Sequence, residues 1–165
     1  MAKDPHGFHE FAAARGASLF RTACLLCGDR HLAEDLVQTT LGKLYTSWRR
    51  VQRADHPAAY ARTVLMRTYM SHVRKHSNQE TPSRRLPETA AADADQALRV
   101  TLLNGLAQLP PQDRAVLVLR YWEDMSVEDV ASALRLSGGA VRNRSMRALG
   151  RLREALGEEF QELIR

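Results

Sequence analysis

The sequence predicts an all-α protein built from two small helical domains joined by a flexible linker, on three observations. Strand signals are nearly absent: no stretch alternates Val, Ile and Thr between turn residues, while apolar residues recur at helical spacing in several blocks. The 165-residue chain then changes character in the middle, where HSNQETPSRRLPETAAADAD (76–95) is polar, holds two prolines and has no apolar stripe. Charge divides at the same place: residues 1–75 carry 12 basic and 6 acidic groups, 76–97 carry 2 and 4, and 98–165 carry 10 and 9. The expected division is therefore 1–77 for the first domain, 78–96 for the linker and 97–165 for the second domain.

Element by element, Phe8 to about Cys27 reads as a first helix, stopped near Gly28-Asp29. His31 to about Arg53 reads as one second helix, with Leu32, Leu36, Leu41, Leu44 and Trp48 supplying its stripe. Pro57 opens a third, since proline at a first helical position gives up no hydrogen bond. It runs through Tyr60, Val64, Leu65, Tyr69 and Val73 to about Lys75. Beyond the linker, Leu98 to Leu109 is a helix and Pro110-Pro111 starts the next. Ser126 with Asp129 three residues on has the pattern of a capping box before a short helix, Val127 to Leu134. RLS (135–137) is the turn, Ser137 the N-cap, and a long helix follows to about Glu159.

That last helix carries the strongest functional signal. LRLSGGAVRNRSMRALGRLR (134–153) contains six arginines and no acidic residue. Around it, Val141, Ser145, Ala148, Leu149, Leu152, Ala155 and Leu156 fall on one side, and Arg142, Asn143, Arg144, Arg147 and Arg151 spread over the rest. A short helix, a three-residue turn and a longer basic helix form a helix-turn-helix, whose second helix enters the major groove N-terminus first. Ser137, Gly138 and Gly139 add little bulk there, so backbone amides and the positive helix end can approach a phosphate. Arg142 and Arg144 reach guanine edges or phosphates, and Asn143 can pair with adenine. A purely solvating face would intersperse acidic residues, and none stands between Val130 and Arg153.

The third helix is the second basic surface, with Arg62, Arg67, His72, Arg74 and Lys75 among Tyr60, Met66 and Tyr69. Aromatics among cations hold unstacked bases beside a tracked backbone. Periodicity equally allows Tyr60 and Tyr69 to be core residues behind a solvated arginine face.

Composition excludes several classes. Net charge is +5 and the isoelectric point is near 9.7, which favours a polyanionic partner. No apolar run reaches bilayer length and the N-terminus has no secretory hydrophobic stretch, so no membrane insertion and a cytoplasmic location are expected. Cys24 and Cys27 are then reduced thiols. CLLC with His31 nearby invites a metal or redox site, but no second Cys or His pair stands at matching spacing, so no metal and no cofactor are expected. Nucleophile elbow, phosphate-cradling glycine loop and paired carboxylates are all missing, which argues against an enzyme. Two readings stay open on these residues: a promoter-specificity subunit recruited by polymerase, and a stand-alone helix-turn-helix regulator.

HLAEDLVQTTLGKLYTSW followed by HPAAYARTVLMRTYMSHVRK resembles the core-binding and minus-10-reading helices of extracytoplasmic-function sigma factors. LAQLPPQDRAVLVLRYWEDMSVEDVASALRLSGGAVRNRSMRALGRLREAL is similar to their minus-35-reading domain. The likeness covers about 8–76 and 97–157 and lies nearest the SigE-like subgroup of these group 4 sigma-70 factors. It implies partners: core RNA polymerase, through the clamp helices of its largest subunit and the flap of its second-largest; promoter DNA, double-stranded and melted; and the anti-sigma factor that many relatives have. It implies roles as well. Asp35, Gln38, Leu41 and Leu44 would meet the clamp; Tyr60, Arg67, Ser71, His72, Arg74 and Lys75 the melted minus-10 strand; Ser137, Gly139, Ala140, Arg142, Asn143, Arg144 and Arg147 the minus-35 duplex. The linker would thread near the RNA exit path. Four positions depart from the family pattern: Arg135 replaces the usual turn glycine, Ala140 a common threonine, Arg67 a frequent asparagine and Thr39 a frequent glutamate. A left-handed backbone at Arg135 would cost on the order of 1 kcal/mol.

Overall fold

A computed structural model describes residues 7–77 and 94–158, and among them every regular element is helical. The first block holds α1 (Phe8–Cys27), α2 (Arg30–Thr46), α3 (Trp48–Arg53) and α4 (Pro57–Lys75). The second holds α5 (Ala94–Ala107), α6 (Pro111–Leu117), a π-helical turn (Val118–Trp122), α7 (Val127–Leu134) and α8 (Gly138–Leu156).

Local chemistry sets most of these bounds. Gly28 ends α1 in the left-handed region (φ 66°), with its N–H on Cys24 O at 2.8 Å. The Asp29 carboxylate at once caps α2, accepting from the amides of His31 (2.8 Å) and Leu32 (3.1 Å), so two residues suffice to reverse the chain. Phe8 then meets Tyr45 and Trp48 edge-on, at 5.1 and 5.4 Å between ring centres, which ties the start of α1 to the far end of the hairpin.

Three bounds differ from the sequence reading. The helix expected from His31 to Arg53 is two, broken at Ser47 (φ −106°, ψ 19°), where the chain bends and sends Trp48 and Val51 into the core. α5 begins at Ala94, inside the segment assigned to the linker; the rest of that segment, 78–93, lies outside the described residues. α8 ends at Leu156, followed by Gly157 with a positive φ (57°), and Glu159 lies outside the described residues.

The two blocks do not stand apart. Leu26, Leu44, Leu65 and Met66 fill the first, Val116, Leu119, Val130 and Val141 the second, and a single buried cluster runs through both. Arg114 of α6 is buried at the seam. Its guanidinium donates to the carbonyls of Leu106 and Ala107 at the end of α5, to Leu109 O just beyond it, and to Leu26 O in the last turn of α1. One cation thereby satisfies carbonyls that two helix ends leave open.

Candidate nucleic-acid interface

The helix-turn-helix is built as its residues dictate. Ser126 Oγ accepts from Asp129 N–H at 3.0 Å and Ser137 Oγ from Ala140 N–H at 3.1 Å, so both helices are capped by serine. Between them Arg135 takes the left-handed conformation (φ 57°, ψ 47°), and the amides of Arg135 and Leu136 both close on Ala131 O. The turn keeps its geometry without glycine.

On α8, Val141, Ser145, Ala148, Leu152 and Leu156 are buried, Leu149 is half-buried, and Ala155 is exposed although the helical wheel places it with the apolar side. Arg142, Asn143 and Arg147 stand exposed on the outer face, with Gly139 open at the entrance and Ala140 half-exposed beside it. Ser137 is committed to its cap, which leaves the amides of Gly138 and Gly139 without an intrahelical acceptor and directed at any incoming anion.

Arg144 differs from its neighbours. It binds the carboxylate of Asp113 on α6 at 2.9 Å, and Arg151 approaches the other oxygen at 3.6 Å. The Asp113 side chain is only 5% exposed and that of Arg144 30%, so Arg144 clamps α8 to α6 rather than standing free. Asp113, which anchors this clamp, carried no role in the sequence reading. Its only signal was an acidic residue in a first helical turn.

α4 presents the second basic surface. Tyr60, Arg67, Ser71, Arg74 and Lys75 lie along one stripe, and His72 about a third of a turn away. Tyr60, Arg67, Lys43, Ser47 and Val64 line an open cavity of about 410 Å³. Tyr69 is core, so of the two tyrosines only Tyr60 remains at the surface. Arg67 donates to Ala133 O and Ser132 O at the end of α7, both at 3.4 Å. His72 stacks on His76 with ring centres 4.1 Å apart; burial, then the neighbouring His76, lowers its pKa. Arg74 and Lys75 are exposed at the helix end.

On α2, Asp35 and Gln38 are exposed and Leu41 half-buried. Leu44 is not at the surface: it is 0% exposed, the last member of the stripe Ala33, Leu36, Val37 and Thr40 that packs inward. Its place among the partner-facing residues is corrected accordingly. The π turn supplies what the sequence reading missed, leaving Tyr121 and Trp122 more than half exposed beside an apolar cavity of about 500 Å³ lined by Leu102, Leu106, Leu149 and Leu152.

Cys24 and Cys27 are free thiols. Burial raises both pKa values, that of Cys27 to about 12, and its Sγ donates to Asp29 O at 3.3 Å. Among the described residues no three His, Cys, Asp or Glu side chains come together as a metal site.

Comparison with known proteins matches two family descriptions, Sigma-70 region 2 at residues 13–79 and Sigma-70, region 4 at residues 105–154. The RNA polymerase sigma-E factor of Streptomyces coelicolor is 39% identical over 151 residues, covering 90% of this chain and 85% of that protein. The RNA polymerase sigma factor CarQ of Myxococcus xanthus is 32% identical, covering 81% and 80%. Among solved structures, the sigma factor RpoE of Bartonella quintana, in complex with the anti-sigma factor NepR, shares the fold with a TM-score of 0.74. It is 23% identical, and the match covers 93% of this chain and 99% of that one.

Proposed function

The chain belongs to the sigma-70 family, among its extracytoplasmic-function sigma factors, and from that premise we propose how its surfaces divide the work of initiation. As a sigma factor it binds core RNA polymerase and directs promoter-specific transcription. The division we propose gives residues 1–77 to polymerase and the minus-10 element, 97–165 to the minus-35 element, and 78–96 to the connection.

In this reading α8 docks in the minus-35 major groove. Arg142, Asn143 and Arg147 face base edges and phosphates, while the Ser137–Ala140 entrance sits against the backbone. Arg144 holds the angle of α8 through Asp113. On α4, Tyr60 and Arg67 receive bases of the minus-10 strand once they unstack, Ser71 and His72 flank them, and Arg74 and Lys75 track the phosphates. Capturing bases only after they unpair favours the open complex over the closed one. Asp35, Gln38 and the exposed part of Leu41 meet the clamp helices of the largest subunit. The exposed Tyr121–Trp122 edge suits a second polymerase contact, the flap. The protein performs no covalent chemistry of its own; polymerase makes the bonds. Its place of work is the cytoplasm, and no described helix is long and apolar enough to cross a membrane.

The observation that supports this reading best is the exposed basic face of α8, free of acidic residues from Gly138 to Arg153, on a serine-capped helix-turn-helix. Mixing the protein with core polymerase and a promoter fragment tests it. Initiation that depends on the protein, and is lost in Asp35→Ala/Gln38→Ala while the circular dichroism is kept, is the expected result. DNA binding with no dependence on polymerase would instead indicate a stand-alone regulator.

A further inference from the structure

The apolar cavity beside Tyr121 and Trp122 continues into a second. Leu25, Leu102 and Trp122 line both the cavity of about 500 Å³ and an adjoining one of about 290 Å³, so the two form one groove that passes Trp122. Core residues make its floor. Leu25, Leu106, Leu117 and Leu152 are at most 8% exposed yet line it, so it enters between α1, α5, the end of α6 and α8. Every charged residue on the groove is an arginine. Arg21 and Arg99 line one half and Arg153 the other, all three exposed, and no Asp or Glu lines either half. Burial raises the pKa of Cys24 on the same wall, and Arg99 is the strongest charge pulling it back, so the positive field reaches into the groove.

An apolar floor under a wholly cationic rim fits an apolar body with one negative end. Small-molecule pockets have this size and make-up, mostly apolar with a few placed polar groups. A polypeptide fits worse. An extended segment would bury amides and carbonyls against leucine side chains that offer no hydrogen bond. One turn of helix, about 10 Å across and about 5.4 Å long, already fills roughly 420 Å³. An alkyl chain has no polar group to satisfy, and a carboxylate head matches the guanidinium fork. We propose that this groove binds a free long-chain fatty acid as its carboxylate. The alkyl chain runs past Trp122 along Leu102, Leu106 and Leu152, and the head meets Arg99 and Arg21, the half with two cations. The inference does not depend on which promoter element each block reads.

Tryptophan emission of the full chain tests this, with decanoate, laurate and myristate as probes below their micelle thresholds. Trp122 is half-exposed and the other tryptophan, Trp48, is buried, so binding should shift the emission to the blue and Trp122→Phe should remove the shift. Affinity should rise by about tenfold for each two carbons, as burial of methylenes requires. Dodecylamine, of the same length but opposite charge, should not compete with laurate. Arg21→Glu/Arg99→Glu should weaken laurate binding at least tenfold, whereas Arg49→Glu/Arg50→Glu, equal in charge on exposed positions of α3, should leave it unchanged. Leu102→Glu, which sets a carboxylate in the groove, should abolish binding; circular dichroism checks its fold, and the two rim arginines carry the test if it misfolds. No emission shift at any chain length overturns the inference. Affinity that ignores chain length, or falls equally in the two arginine pairs, shows general adsorption to a basic protein and overturns it too. Capture on phosphatidylglycerol vesicles without binding of soluble laurate would make the groove a membrane contact and overturn the fatty acid. No arm uses DNA or polymerase, so failure here is distinct from failure of the promoter assignment.

Discussion

Arginines that look alike along α8 have unlike duties, and substitution separates them. Arg142 is exposed, so Arg142→Ala should leave stability within about 0.5 kcal/mol and weaken minus-35 duplex binding by about 1–3 kcal/mol, read by denaturation and by fluorescence anisotropy. Asp113→Asn acts first on stability. It removes the negative charge and one of the two oxygens that Arg144 and Arg151 share, and is expected to cost about 1–2 kcal/mol of stability because both arginines keep some solvent. Duplex binding then falls as well, through the loosened angle of α8. Arg135 offers a gain: in its left-handed conformation, Arg135→Gly should stabilise the protein by about 0.5–1 kcal/mol in chemical denaturation. Leu44→Ala, in contrast, empties a fully buried site and should cost about 2–5 kcal/mol.

At the scale of elements, the contact of α5 with α8 turns on a missing side chain. A Cβ at Gly105 would stand 2.9 Å from the end carbons of both Leu152 and Leu156, so the helices approach over bare backbone. Gly105→Leu should therefore destabilise the second block by about 1–3 kcal/mol, visible as a lower melting temperature. Helices with chemical punctuation were readable from sequence. Pro57 fixed the start of α4, and Ser126 and Ser137 fixed those of α7 and α8. The break at Ser47 was hidden because Trp48 continues the apolar stripe of α2, and nothing in SWRR forbids a helix. The π turn was hidden for another reason: VLVLRYW is apolar at nearly every phase, so no periodicity betrays a widened turn. Of the site, the exposed residues of α8 were readable from charge and spacing. The Asp113 clamp was not, since it pairs residues 31 apart whose meeting depends on how α6 packs.

For the whole molecule, the sequence pointed to separable domains and the structure joins them through polar contacts as much as through apolar ones. Neither Arg62–Glu123, 61 residues apart, nor Arg114–Leu26, 88 apart, leaves a local trace in the chain. Because Arg114 bonds to both blocks, unfolding is expected to be cooperative across the seam. Wild type should show one calorimetric transition, and Arg114→Ala, which orphans buried carbonyls at the ends of α1 and α5, should cost about 3–5 kcal/mol and split it into two. The same seam limits modularity. Joining residues 7–77 to the C-terminal half of a relative with no carboxylate at the place of Glu123 would remove the acceptor that Arg62 has across the seam. Hybrids of that kind should inherit the DNA preference of each parent yet melt below both, so the halves have to be exchanged with their mating surfaces and not as independent cassettes.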